Sequence, residues 1–245
     1  MNTRYKLFVT ALFVWLFLAP TILLGQALYS APYADKIPLW QMDFEDYLNQ
    51  YRLQWHLPIR TNNRQSLENV ELTRIGKFGL MRAARPGIPA HHHTGTDFKR
   101  PSDNYVDEPI FPAAKGTVVS LRDDGPYAQI IIQHTLEDST ILWTVYEHVA
   151  GIQTKLHEHV DPFHPIARFM TRDELNKYGW QFDHVHFEVM RAHPIPRRPD
   201  KKRPYMHYGT HCLVCYTQKN LDEKYYNPLM FLAEKWENSL NFSYD

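Results

Sequence analysis

From Glu71 onward the apolar residues come in short runs broken by turn formers, a texture that leaves few folds open. Pro109-Ile110-Phe111-Pro112, Gly116-Thr117-Val118-Val119, Ala128-Gln129-Ile130-Ile131-Ile132, Ile141-Leu142-Trp143-Thr144-Val145-Tyr146 and the run from His184 to Met190 each read as a strand. Short β-rich segments at this spacing indicate an antiparallel sheet or sandwich. Helix signals are few. Thr171 to Tyr178 opens on a Thr-x-x-Glu capping pattern. A final amphipathic helix starts after Asn227, with Pro228 suited to a first helical position. Met42 to Trp55 carries Phe44, Tyr47, Leu48, Tyr51 and Leu53 near helical spacing, with Asp43 as N-cap. The expected fold is mainly β, a β-rich α+β arrangement of antiparallel, sandwich-like sheet with an N-terminal helical arm and a short C-terminal helix.

A chain of 245 residues with 44% apolar composition can bury one good core with decorations, and is too short for two large domains. Its start, Met-Asn-Thr-Arg-Tyr-Lys, precedes an uncharged stretch from Leu7 to Gly25, the basic and apolar regions of an export signal. Small residues at Gly25 and Ala27 favour cleavage after Ala27. The run is also long enough to span a bilayer uncleaved, in which case residues 7–25 anchor the chain. Both readings put everything after Ala27 outside the cytoplasm, because the basic residues stay on the cytoplasmic side. The expected organisation is a signal peptide or anchor at 1–27, an arm at 28–70 and a domain at 71–240. Within that domain, 191–224 is rich in proline, arginine and lysine, holds both cysteines, and reads as a long loop or insertion. Lysine plus arginine and aspartate plus glutamate both total 27, so no global field draws the chain to nucleic acid. Partners must be recognised by a site.

The 14 histidines are many for this length, and position decides which of them matter. In Asp183-His184-Val185-His186-Phe187-Glu188-Val189, two histidines stand two apart in a strand and face one side. One can bind a metal while the other handles a proton beside it, although a solvated strand face would look the same. His91-His92-His93-Thr94-Gly95-Thr96-Asp97 offers nitrogen and oxygen donors four residues apart across a glycine suited to a tight turn. His93 and Asp97 can supply the two remaining ligands of a three-ligand zinc site, whereas His91 and His92 read as exposed. Tyr146-Glu147-His148 places Tyr146 and His148 on one strand face, where a satisfied core histidine is the ordinary reading.

Taken in order, His-x-Gly-x-Asp, Tyr-x-His and His-x-His-Phe-Glu-Val resemble the motifs of the lysostaphin-type, or LytM-type, zinc peptidases with a duplicated-hybrid-motif fold. The resemblance runs from about Ile75 to Trp236. It takes in the lead-in Gly76-Lys77-Phe78-Gly79-Leu80-Met81-Arg82, the stretch from Glu108 to Val119, and the closing Asn227-Pro228-Leu229. It implies a Zn²⁺ held by His93, Asp97 and His186, with His184 as general base and His148 polarising water or a developing oxyanion. The implied activity is hydrolysis of peptide bonds in peptidoglycan stem peptides or cross-links, in the periplasm or at the outer side of the inner membrane. A non-catalytic module that activates another wall hydrolase is the rival, and such relatives usually lack some of the five residues present here. A peptidase for proteins would share every one of them.

The departures lie between Leu156 and Phe182, where the family's glycine-rich pattern is absent and substrate preference is correspondingly open. His157, His159 and His164 in that stretch read as solvated loop residues rather than a second metal cluster. Cys212 and Cys215 leave three states open: a disulfide, the default in an oxidising compartment; unpaired thiols; or a structural zinc site completed by His207 and His211.

Overall fold

The computed structural model describes residues 54–241, so the N-terminal apolar run and all but the last two residues of the expected Met42–Trp55 helix lie outside it. In chain order the strands are β1 (Met81–Arg82), β2 (His91–His92), β3 (Thr96–Lys99), β4 (Pro109–Ile110), β5 (Gly116–Arg122), β6 (Gln129–Thr135) and β7 (Ile141–Glu147). They continue with β8 (His159–Val160), β9 (Ala167–Arg168), β10 (His184–Met190), β11 (Ile195–Pro196), β12 (Tyr208–Gly209) and β13 (Tyr225–Tyr226). The α-helices are α1 (Arg172–Tyr178), α2 (Gln218–Lys224) and α3 (Pro228–Asn241). Each run read as a strand from sequence contains one, and the fold is mainly β with antiparallel pairing throughout.

The main sheet runs β13-β10-β7-β6-β5-β8. β7 takes one edge of β10, while β3 and then β13 share the other. β10 is therefore central, and both its faces are buried. Val185, Phe187 and Val189 enter the main core with Phe98 and Tyr146, the Phe187 ring lying 5.3 Å from Tyr146 and 6.1 Å from Phe98. Burying a side chain of this kind contributes about 1.5–3 kcal/mol. On the opposite face Met190 joins Ile131, Trp143, Val145, Cys215, Leu221 and Tyr225 in a second core.

The segment 191–224 is not an open loop. It carries the β11–β12 hairpin, a 3₁₀ turn at Cys212–Val214 and α2, and Cys215 and Leu221 tie it to that second core. α1 opens on the expected capping box: Thr171 N–H donates to Glu174 Oε2 at 2.7 Å, and Glu174 N–H to Thr171 Oγ1 at 3.3 Å. α3 starts at Pro228 behind Asn227, whose side-chain oxygen accepts from Leu229 N–H. Its Phe231 packs edge-on against Trp55 at 4.8 Å, and Trp236 Nε1–H donates to the Trp55 carbonyl at 2.8 Å. Trp55, Leu57 and Ile59 thus belong to the main core, so the C-terminal part of the arm is domain structure. The sequence draws its boundary at residue 70 because this stretch has no strand alternation. It packs as irregular chain, with one backbone bridge to the sheets, from Ile59 to Ile110.

His134 marks how dry this core is. Its Nδ1–H donates to the Lys115 carbonyl at 2.8 Å, its Nε2 lies 2.8 Å from Thr144 Oγ1, and Trp55 packs against its ring. Burial pushes its pKa down to about 4, against 6.5 when exposed. The folded protein holds this ring neutral, so below pH 6.5 the unfolded chain binds a proton that the folded one refuses. Stability from this group is complete above pH 6.5 and falls by about 3 kcal/mol as pH drops towards 4. Denaturant melts of wild type and His134→Gln at stepped pH check this: the variant loses less stability between pH 6.5 and 4, and parallel losses would refute the assignment.

Candidate metal centre

Directly opposite residues of an antiparallel pair project to the same face. Asp97 of β3 stands opposite His186 of β10, and the period of two adds His184 and Glu188 to that face. His93 is brought in by the lead-in segment, which brackets it with backbone bonds from His93 N–H to Leu80 O and from Gly79 N–H to His93 O. Its Nδ1–H donates to the Lys77 carbonyl at 3.0 Å, which leaves the Nε2 lone pair pointing inward. His186 is fixed the other way round: Nε2–H donates to Glu188 Oε1 at 3.1 Å, and Nδ1 faces Asp97.

Three electron-pair donors therefore meet. His93 Nε2 lies 3.0 Å from Asp97 Oδ1 and 3.0 Å from His186 Nδ1, and the last two are 2.8 Å apart. Tetrahedral zinc with ligands at about 2.1 Å spaces its donors about 3.4 Å apart, so the triangle needs to open only slightly to hold it. The second oxygen of Asp97 is committed elsewhere, 3.1 Å from Arg82 Nη2 and 3.5 Å from Thr73 Oγ1. Among the described residues this is the one group of three or more His, Cys, Asp or Glu with ligating atoms in mutual reach, and it contains no arm residue. Three such donor atoms in mutual reach suit a cation between them. Burial disfavours charge on His186, yet hydrogen bonds to Asp97 and Glu188 outweigh it and raise its pKa to about 10. Burial likewise opposes ionisation of Asp97, but hydrogen bonds from His186 and His93 hold its carboxyl far below the usual range.

Gly95 serves this centre differently from the sequence expectation of a tight turn. Its φ is not positive; a Cβ there would stand 2.5 Å from Phe187 O, 2.7 Å from His186 Cε1 and 2.9 Å from His186 Nε2. The glycine is required because the ligand ring lies against it. Gly76 plays the same part for Asp97, whose Cβ would be 2.7 Å from an added Cβ.

His184 and His148 flank the triad. His184 Nε2 is 3.7 Å from Asp97 Oδ1, and the His148 ring lies 4.8 Å from that of His184 and 6.3 Å from that of His186. Burial lowers the pKa of both, that of His184 to about 3. His148 does not reach this place by strand parity. Phe187 opposes Tyr146, so a continued strand would send His148 into the core beside Tyr146, whose hydroxyl accepts from Ala113 N–H. Instead β7 stops at Glu147 and His148 adopts φ 64°, in the left-handed region. That turn aims the ring at the metal face, and Nδ1–H is held by the Pro126 carbonyl at 2.6 Å.

The structure thus brings His93, Asp97, His148, His184 and His186 together and leaves Tyr146 out. Sequence reasoning missed Arg82 and Thr94, which have no periodic signal, and passed over Glu188, which shares the parity of His186. His91, read as exposed, is buried, with Nδ1 on the Pro89 carbonyl. The other histidine clusters do not form: His164 pairs with Asp161, His159 with Thr117, and His211 Nε2–H is engaged by the His193 carbonyl. Both cysteines are free thiols, which burial pushes up to about 12 for Cys212 and about 11 for Cys215.

Residues 91–199 match the model of peptidase family M23, and all five residues of the centre fall inside that span. That match is to the family whose motifs this stretch resembles. No curated protein matches the chain at a significant level. Among solved structures, lysostaphin from Staphylococcus simulans aligns at 16% identity over 69% of this chain and 51% of that one, with a TM-score of 0.40. A zinc-containing peptidase from Vibrio cholerae aligns at 22% over 56% and 36%, TM-score 0.40. The SpoIIIAH–SpoIIQ complex aligns at 18% over 72% and 99%, also at 0.40. The chain spans about half of lysostaphin and about a third of the Vibrio protein.

Gly95→Ala should disturb the centre without touching a ligand. The added methyl displaces the His186 ring, an overpacking of about 1–3 kcal/mol, which if it falls on the metal-binding geometry is roughly five- to a hundredfold in zinc affinity. Competition against a chromophoric chelator measures it; unchanged affinity would show that the ring can shift while Nδ1 stays in place.

Proposed function

We propose that this protein is a zinc-dependent endopeptidase that hydrolyses peptide bonds of peptidoglycan stem peptides or cross-links. We place it outside the cytoplasm, released to the periplasm or anchored at the outer side of the inner membrane through residues 7–25. The observation that carries the reading is the convergence of His93 Nε2, Asp97 Oδ1 and His186 Nδ1 inside the stretch that matches peptidase family M23, with two further histidines beside them. These three atoms would hold the metal. Zinc bound there supplies Lewis acidity, lowering the pKa of water from about 15.7 towards 7 and polarising a carbonyl oxygen.

The remaining work falls to the flanking rings. His184 stands beside the ligand carboxylate without a short bond to it, and takes the proton of the attacking water before passing it to the leaving amine. His148 has its Nδ1–H committed to Pro126, so Nε2 presents a lone pair. An acceptor in that place orients the attacking water; it cannot donate to an oxyanion while the ring is neutral. Of the two roles the family resemblance implies for His148, this geometry supports the first. Arg82 keeps Asp97 ligating through one oxygen by occupying the other.

Full-length protein purified in mild detergent should release peptide fragments from isolated peptidoglycan, lose that activity to a chelator and regain it with zinc. His184→Ala should keep zinc and lose about a hundred- to ten-thousand-fold in rate, whereas His186→Ala should lose the zinc. A zinc-loaded wild type that cleaves no peptidoglycan of several cross-link types, yet stimulates a separate amidase with or without His184, would sink the catalytic reading and establish an activating module.

A further inference from the structure

Glu188 is a buried acidic residue beside the centre that the proposed chemistry leaves unused. It is 1% exposed in the middle of β10, two residues past His186 on the same face. Its Oε1 accepts from His186 Nε2–H at 3.1 Å and from the Thr94 hydroxyl at 2.5 Å, and its Oε2 has no hydrogen-bond partner among the described residues. An ionised carboxylate in such a place costs several kcal/mol unless its contacts serve a purpose.

Its surroundings identify that purpose. One end of this sheet face carries His184 and His186; the other is the second core, where Met190, Trp143 and Val145 are covered by Cys215, Leu221 and Tyr225. Glu188 sits between, with Val145 opposite it on β7 and Met190 beyond it on β10. The segment 191–224 is bonded to the ligand-bearing side as well, His92 N–H donating to the Cys215 carbonyl at 2.8 Å, and to β13, His211 N–H donating to the Tyr225 hydroxyl at 2.8 Å. Without this cover the carboxylate would face water, and its hold on one imidazole N–H would compete with solvent.

We infer that Glu188 is a positioning residue for the metal centre, clamping His186 Nε2–H so that Nδ1 faces the metal, and that the Cys212–Cys215 turn and Tyr225 form the cover that keeps this clamp dry. Ligating histidines held by a carboxylate at the distal nitrogen commonly lose ten- to a hundredfold in metal affinity when that carboxylate is removed. Burial, and then the Glu188 charge, push the Cys212 thiol up to about 12.

This inference rests on the zinc reading above, and the test separates the two. Zinc affinity by chelator competition and the exchange-protected ring N–H signal of His186 by NMR are measured on wild type, Glu188→Ala, Glu188→Gln and Thr94→Val. Glu188→Ala should bind zinc about ten- to a hundredfold more weakly and lose the ring N–H signal. Glu188→Gln keeps an acceptor oxygen, and should keep the signal and remain within about threefold of wild type, with Thr94→Val between the two. Wild-type affinity in Glu188→Ala overturns the inference. So does a Glu188→Gln that falls as far as Glu188→Ala while retaining the signal, since charge rather than position would then be at work. Should Glu188→Ala not fold, the Gln and Thr94→Val pair decides by the same criteria. A wild type that binds no zinc refutes the zinc reading, while the ring N–H comparison still decides whether Glu188 holds His186.

Discussion

In β10, His186 stands opposite Asp97 of β3 on one side and Glu147 of β7 on the other, and this register governs both faces of the molecule. Because side chains alternate, it sends Val185, Phe187 and Val189 into the main core and His184, His186 and Glu188 to the metal face. A slip of one residue would send the histidines in among Phe98 and Tyr146 and turn the phenylalanine onto the face that now holds them. The apolar side chains that stabilise the sheet are the same ones that set the ligand geometry, so the centre is as rigid as the core beneath it. That rigidity suits a metal site, whose donors must stay within a few tenths of an ångström of one arrangement.

Electrostatics at the centre follow from crowding. Each of the three donor atoms is aimed inward because its partner nitrogen or oxygen is occupied: Lys77 holds His93, Glu188 holds His186, and Arg82 holds Asp97. None can turn away to relieve the repulsion among lone pairs. Burial disfavours charge on the His186 ring, yet the two carboxylates that bracket it, Asp97 and Glu188, raise its pKa to about 10, while burial lowers that of His93.

The features legible in sequence were those with a period or a motif. Short apolar runs between turn formers located β5, β6, β7 and β10, a capping pattern and a first-turn proline located α1 and α3, and the family motifs picked out five residues whose side chains the structure brings near one another. What escaped depends on the third dimension. The His148 ring reaches the metal face through one left-handed residue, which a period-two reading cannot represent. Gly95 looks like a turn glycine until the His186 ring is seen against it. Arg82 comes from a two-residue strand with no pattern of its own, and Trp55 joins the core as irregular chain clasped by Trp236. The stretch 191–224 looked like a loop because its apolar residues are few; Cys215 and Leu221 suffice to dock it, since the sheet supplies the rest of that core.

The left-handed backbone at His148 gives inheritance a slope. For a residue other than glycine that conformation costs roughly 1–2 kcal/mol, and here the Pro126 hydrogen bond and the packed ring hold it in place. Glycine or asparagine would relax the backbone at once while removing the imidazole. Under the proposed function, a lineage released from the need to cut would thus find its easiest first step at this position, trading the ring for an unstrained turn and leaving fold and the His93–Asp97–His186 triad as they were. Descendants that bind metal without hydrolysing anything would carry that mark before any change among the ligands themselves.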